Sequence, residues 1–444
     1  MDDVAAIPGA GVGVGTVPAR TQRTARRVLS PAAVLTVGTL ASGVLAYAFN
    51  LLAARALGPA GYGPIAVLWA AVFLVSVVLF RPVEQTLARE ISGRLARGDD
   101  ARVVVRKARW LAAGLTALAL ALLGAFWGPV TDQMLGGRDA LTASLALGIA
   151  GYAISYYVRG LASGVEWLAG YGVLLFVDGL ARVAFALPLL FVASPVVAGA
   201  AIAAAAFAGA FAPLAVDRLG RPDAGVLRGR PAPEFRVRRA LRFAAPVAVV
   251  AASEQILVSG GAVLVSLEGG PGAAAAAGTV FAATMLVRAP VFLFQGVAAA
   301  LLPNFTRAAA LGERARIQRM LARLAGAVGA LTVLLVAGSL ALGPQAMRLV
   351  FGPEFDVART DLAILCGGVG SYLVAATLGQ AAMATDRAAG AAAAWAAASA
   401  AFVALVVTLP GEPFHRVSIA FTASTALAGL ASTWIVLRRP PPPV

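Results

Sequence analysis

Apolar runs of about twenty residues recur along the chain, each closed by a short break of Gly, Pro or charged residues. An α-helix rises about 1.5 Å per residue, so about 20 residues cross the roughly 30 Å hydrocarbon layer of a bilayer. Read this way, the pattern predicts twelve spans, at 31–54, 63–88, 103–127, 140–162, 170–192, 195–216, 241–266, 275–303, 320–342, 361–384, 388–409 and 416–437. Hydrocarbon offers no partner to a backbone N–H or C=O, so each span must be a helix. The fold class that follows is an all-α polytopic membrane protein. Its many Gly and Ala residues let helices approach closely.

One layout occurs twice. From Gly58 to Arg109 a Gly/Pro turn leads into an apolar run, Arg81, Glu84 and Gln85 arrive before that run ends, and an Arg-rich segment follows. The layout returns from Gly272 to Arg323. At an offset of 214, Gly58 meets Gly272, Phe80 meets Phe294, Val83 meets Val297, Leu87 meets Leu301, Gly98 meets Gly312, Arg102 meets Arg316 and Arg109 meets Arg323. Six spans per copy keep both copies in one orientation. That predicts two parallel-repeat six-helix bundles about an axis along the membrane normal, with a site between them near the midplane. The boundaries are a tail (1–30), a bundle (31–216), an Arg/Pro-rich linker (217–240), a second bundle (241–437) and a short tail (438–444).

The N-terminal tail carries Gly9, Gly11, Gly13 and Gly15 with no strand before them, so it reads as disordered chain rather than a nucleotide fingerprint. Arg20, Arg23, Arg26 and Arg27 before an apolar run imitate a secretory signal, but the run at 31–54 is too long for one.

Composition agrees with the pattern. The 444 residues are 60% hydrophobic and 13% charged, against about 25% charged in soluble domains. The net charge of +15 lies between spans, not on a soluble face, which argues against a nucleic-acid partner and makes it an orientation signal. All basic residues except Lys107 are Arg. With the N-terminus inside, 27 of the 36 fall on the cytoplasmic side. Arg81, Arg159, Arg182 and Arg288 fall within or at the edge of spans, and Arg55, Arg138, Arg348, Arg359 and Arg416 fall outside. Both termini are therefore expected in the cytoplasm. The linker is expected against the anionic inner leaflet, or against an acidic cytoplasmic partner.

Charges inside spans cost about 2.5–3.5 kcal/mol each, so they face cavities or partners. Arg81, Glu84, Gln85 and Arg89 share one helix stripe, either as a cavity wall or as an Arg–Glu ladder with snorkelling arginines. Arg288 is mid-span beside Pro290, where snorkelling is difficult. Glu254 and Gln255 are central in the seventh span, where Glu254 would neutralise Arg288 or bind a coupling cation. Asp178 and Arg182, four apart, suit a pair. Asn50, Gln295, Asn304 and Gln380 are weaker candidates, since membrane amides often only join helices. The substrate-binding set is thus Arg288, Arg81, Glu84, Gln85, Glu254, Arg182, Asp178 and Asn50.

Cys366 is the lone cysteine, which excludes an intrachain disulfide or a cysteine metal site. His415, the lone histidine, reads as a cap at the membrane edge, with a proton relay as the other reading. No metal-ligand spacing, P-loop or Ser/His/Asp set occurs, so neither an enzyme nor a cofactor is implied. A membrane-embedded glycan polymerase or glycosyltransferase is the alternative of a different class.

ALGPAGYGPIAVLWAAVFLV after the first span, FRPVEQTLARE ending the second and the Arg-rich segment beyond resemble the polysaccharide-exporter branch of the multidrug/oligosaccharidyl-lipid/polysaccharide (MOP) superfamily, which includes the Wzx-type oligosaccharide flippases. The likeness spans roughly residues 30–437. It implies a V-shaped pair of six-helix bundles that moves a lipid-linked oligosaccharide across the cytoplasmic membrane by alternating access. Several relatives have a cationic central cavity, and by type and depth Arg81 and Arg288 match it. Polysaccharide-assembly proteins would be its partners. The sequence lacks the two further C-terminal helices of the lipid II flippase branch. An acidic cavity like that of the cation-exporting multidrug relatives is suggested only by Glu254 and Asp178.

The charge count generates a test. In a Cys366→Ser background, a cysteine at position 228 should resist a membrane-impermeant thiol reagent in intact cells and react once the cells are opened. Labelling from outside would reverse the orientation.

Overall fold

In a computed structural model the described residues are 30–215, 222–231, 237–288, 314–384 and 387–437. The long helices are α1 (Pro31–Ala96), α2 (Arg102–Ala125), α3 (Asp139–Gly164), α4 (Leu168–Ala186), α5 (Pro195–Phe211), α6 (Val237–Leu267), α7 (Ala273–Arg288), α8 (Arg314–Phe351), α9 (Arg359–Ala384), α10 (Ala388–Thr408) and α11 (Pro413–Leu437). No strand occurs among the described residues.

If straight, the 66 residues of α1 would run about 99 Å, some three times the hydrocarbon layer. They form two spans because Gly58 interrupts them at φ 63°, ψ 175°, a region essentially restricted to glycine. Pro59 then opens the second arm at a position that suits its missing N–H. The expected Gly/Pro turn is therefore a hinge one residue long. Gly272, its partner at the offset of 214, also has a positive φ, 89°, and precedes α7. The repeat read from sequence is thus a repeat of backbone geometry.

We call the membrane face where α1 begins the near side and the opposite face the far side. The turn at Gly58, the α6–α7 turn and the end of α8 all lie on the far side, where Arg55 ties α1 to α8, its Nε donating to the Val350 carbonyl at 2.8 Å. α7 leads away from this side. Its expected continuation to residue 303 lies outside the described residues. α6 starts at Val237, ahead of the expected 241.

Within the N-terminal half, α1 packs on α3 and α4, and α5 covers both; in the other half, α9 packs on α8 and α11, and α10 on α6 and α11. The halves meet on the far side. Gly63 lies against the Ala274 backbone and Gly278 against the Pro59 carbonyl, so close that a Cβ at either glycine would collide. Tyr62, fully buried, sets its ring edge-on to Phe281 and Phe355, at 6.2 Å each. Its hydroxyl donates to Asn50 Oδ1 at 2.8 Å, and Asn50 Nδ2 donates to the Ala46 carbonyl at 2.8 Å. Ser266 Oγ donates to the Gln133 carbonyl at 3.2 Å.

Burial along the helices gives the shape. Residues Tyr62 to Ala70 are buried around the whole circumference of α1, and beyond Val72 coverage becomes one-sided. In α7, residues 280–285 are all buried, whereas Arg288 is only partly covered. A helix apolar and buried on every side is surrounded; one covered on a single face borders a gap. The halves are joined on the far side and part toward the near side.

Four of the basic residues that break the charge asymmetry are occupied on the far side. Arg55 holds the α8 carbonyls, Arg348 pairs with Asp356 at 3.0 Å, Arg138 donates to the Gly136 carbonyl, and Arg416 pairs with Glu268 while donating to the Val406 carbonyl at 3.0 Å. His415 Nδ1 meets Asp361 Oδ1 at 2.7 Å and ties α11 to the first turn of α9. Cys366 is buried in α9.

Asp178 and Arg182 are enclosed within the N-terminal half, with only 5% and 2% of their side chains exposed. Arg182 Nη2 donates to Asp178 Oδ2 and, at 2.7 Å, to the Tyr152 hydroxyl, which donates to Asp178 Oδ1 at 3.2 Å. The guanidinium also lies 4.9 Å over the Trp69 ring. Such a network stabilises only when complete. Asp178→Asn or Arg182→Met alone should therefore cost about 3–5 kcal/mol by leaving one buried charge unpaired. Asp178→Leu with Arg182→Met should recover most of that loss in thermal unfolding of the detergent-solubilised protein. Single variants as stable as wild type would contradict this assignment.

Candidate functional site

The gap between the halves takes its character from side chains at similar depths on helices of both repeats. Arg288 lies fifteen residues past Ala273 on α7, Glu254 thirteen before Leu267 on α6, Tyr372 thirteen past Arg359 on α9, and Tyr47 eleven before Gly58 on α1. At about 1.5 Å per residue these offsets put all four roughly 16–23 Å from the far side, near the middle of the layer. Each is only partly covered. For a charged group at that depth, partial exposure means a water-accessible gap rather than lipid.

Arg288 is within electrostatic reach of Tyr372 and Tyr47, so its charge is framed by phenols from both halves. By depth and sign, Glu254 is a candidate to neutralise it. The cation whose field reaches Glu254 is instead Arg81, from the second arm of α1. Tyr372 lies in the fields of Glu254, Arg288 and Arg81 together. Gln255 donates to Ser259 Oγ at 2.9 Å on its own helix.

The stripe Arg81, Glu84, Gln85 does not form an Arg–Glu ladder. Glu84 accepts a hydrogen bond from the Tyr171 hydroxyl at 2.6 Å and faces Arg159, and among the described residues Arg81 and Glu84 make no ion pair. Gln85 is partly covered beside them, and Arg89 is exposed at the near-side end of the stripe. The Arg159 guanidinium stacks 4.7 Å over the Tyr156 ring. A second set thus gathers toward the near side of the N-terminal half: Arg81, Glu84, Arg159, Tyr156 and Tyr171.

Three sequence candidates lie elsewhere. Asn50 belongs to the far-side seam and Asp178 with Arg182 to the interior of one half. Gln295, Asn304 and the side chain of Gln380 lie outside the described residues. Sequence reasoning misses the aromatic partners and weighs Arg159 only as an orientation charge. The signal is present, since Tyr152, Tyr156 and Arg159 recur at helical spacing on one face of a span. No group of three or more His, Cys, Asp or Glu that could hold a metal occurs among the described residues.

What the gap offers is a mixed-sign, aromatic-framed groove with a cation at mid-depth. Guanidinium forks bind phosphate bidentately and stay charged, and phenol rings supply amphipathic contact surface.

The fold matches transporters of the MOP superfamily. An inward-facing multidrug resistance MATE family transporter of that superfamily superposes with a TM-score of 0.64 over 91% of this chain and 94% of its own, at 14% identity. The lipid II flippase MurJ in an inward closed conformation gives 0.65 over 92% and 88%, at 13% identity. In sequence, the chain is 28% identical over 363 residues to the uncharacterized protein Rv3630 of Mycobacterium tuberculosis, covering 80% of this chain and 81% of that protein. It is 28% identical over 347 residues to the uncharacterized protein Rv1510 of the same species, covering 76% of each. The family model described as "Polysaccharide biosynthesis protein" matches residues 28–309, well over half of the chain, and the chain belongs to that family.

Proposed function

We propose that the protein is a flippase of the cytoplasmic membrane that carries a polyprenyl-pyrophosphate-linked oligosaccharide from the inner to the outer leaflet by alternating access. The observation that carries this reading is Arg288, partly exposed at mid-depth between Tyr47 and Tyr372 in a gap open on one side. The near side holds most of the basic residues and is therefore cytoplasmic by the positive-inside rule, with both termini there. A sugar head group cannot cross hydrocarbon unaided, so it needs a polar groove. Its pyrophosphate would meet Arg288, its sugars the tyrosines and Glu254, and its prenyl tail would stay in lipid between the halves. Rocking about the far-side seam would close the near side, and the opposite charges of Arg81 and Glu254 favour that closure. Polysaccharide-assembly proteins would supply and receive the cargo.

A second reading, a multidrug-type cation exporter, is favoured by Glu254 alone. Cells lacking the protein distinguish the two. A flippase predicts lipid-linked oligosaccharide accumulating on the cytoplasmic leaflet while sugar assembly continues; unchanged leaflet distribution with loss of resistance to cationic compounds would favour the exporter. Glycan extension by purified protein in detergent, where no leaflets exist, would point to an enzyme instead.

Arg288 gives the sharper test. Arg288→Ala should abolish transport with near-normal expression and insertion, and Arg288→Lys should restore it only in part, because an ammonium does not reproduce the guanidinium fork. Since the cation whose field reaches Glu254 is Arg81, adding Glu254→Ala should not rescue Arg288→Ala. Full transport in that double variant would remove Arg288 from the substrate site.

A further inference from the structure

On the near side, the linker between the halves folds back onto the N-terminal half. Leu227 packs against the small apolar cluster of Val83, Leu87, Ile91, Ala101, Val104 and Ala108. The backbone follows. Ala101 N donates to the Leu227 carbonyl at 3.0 Å, Asp100 N to the Arg230 carbonyl at 2.9 Å, and Arg230 N to the Gly98 carbonyl at 2.9 Å. Gly229 sits so tightly on this loop that a Cβ there would lie 2.5 Å from the Gly98 oxygen and from the Asp99 carbonyl carbon. The linker is thus a fitted lid at this point, through a contact only glycine allows.

Between lid and loop is a cavity of about 580 Å³ lined by Arg94, Asp100, Arg102, Arg106, Gly229 and Pro231, with Val103 from the first turn of α2. Arg94 is 6% exposed and its Nη1 donates to the Asp100 carbonyl at 2.9 Å, which fixes it as the floor. Arg102 and Arg106 are exposed at the rim. Asp100 accepts from Arg102 Nε at 2.8 Å, and the Arg102 hydrogen bond holds its carboxyl below the usual range. Among the described residues, three arginines and one aspartate line this cavity, and the N-terminus of a 24-residue helix adds its positive dipole end.

We propose that this linker-roofed cavity is a binding site for a phosphate-bearing ligand, separate from the gap between the halves. A phosphate carries several oxygens and up to two charges, which suits guanidinium forks gathered round one space. The volume falls within the range of small-molecule sites, so it admits a phosphate with its attached group. The phosphate comes either from an anionic lipid headgroup of the adjoining leaflet or from a soluble phosphate compound. The site does not depend on the transport reading.

Full-length protein in lipid-free detergent tests it with two probes: inorganic pyrophosphate, read by thermal shift, and short-chain phosphatidylglycerol against phosphatidylcholine, read by native mass spectrometry. Wild type should bind at least one anionic probe, and Arg102→Gln/Arg106→Gln should weaken it at least tenfold. Both substituted residues are exposed, so folding should survive. Arg323→Gln, an exposed arginine on another helix, should bind as wild type does. Pyrophosphate binding assigns a soluble ligand; retention of phosphatidylglycerol alone assigns a headgroup. Failure of both probes, wild-type binding by the double variant, or an equal loss in Arg323→Gln would overturn the proposal. So would binding that Arg288→Ala abolishes and the double variant leaves intact, since it would then belong to the central gap.

Discussion

Everything in this molecule depends on how the chain reverses at Gly58. Hydrocarbon requires unbroken helices, and a 66-residue helix cannot remain straight within a layer of about 30 Å. Gly58 reverses the chain in one residue, in a conformation that side chains exclude, and Pro59 starts the next helix at once. The two arms therefore reach the far side as a tight wedge. Because the turn is so short, Tyr62 falls opposite Asn50, and Gly63 comes within backbone contact of α7. The seam between the halves is a consequence of that hinge.

The seam in turn sorts the buried charges into two kinds. Asp178, Arg182 and Tyr152 answer one another inside a single half, so their network holds whichever way the halves lean. Arg288, Glu254 and Tyr372 belong to one half and Arg81 and Tyr47 to the other, so the surroundings of this set change as the halves move. The first kind stabilises a bundle, and the second makes the position of one bundle relative to the other matter energetically. The linker is organised likewise: its described part is hydrogen-bonded to the N-terminal half, and α6 then carries the chain into the other.

How far the sequence alone determines this protein follows from the range of its forces. Solvation by lipid acts on each residue locally, so apolar runs, helices throughout, the 214-residue repeat and the presence of charges at mid-span are all legible in the residue pattern. So is the pairing of Asp178 with Arg182, since four residues is about one helical turn. What tertiary structure decides is which charge faces which across separate helices. Glu254 and Arg288 are close in depth and opposite in sign, yet the cation whose field reaches Glu254 is Arg81. Asn50 has the pattern of a site residue and is a bracket for Tyr62. Arg159 has the pattern of an orientation charge and stands with Glu84 and Tyr156. Depth along a helix follows from counting residues, whereas the direction a side chain faces depends on how its helix is rotated against neighbours distant in sequence. That rotation is set by packing at the far-side seam, which no local pattern encodes.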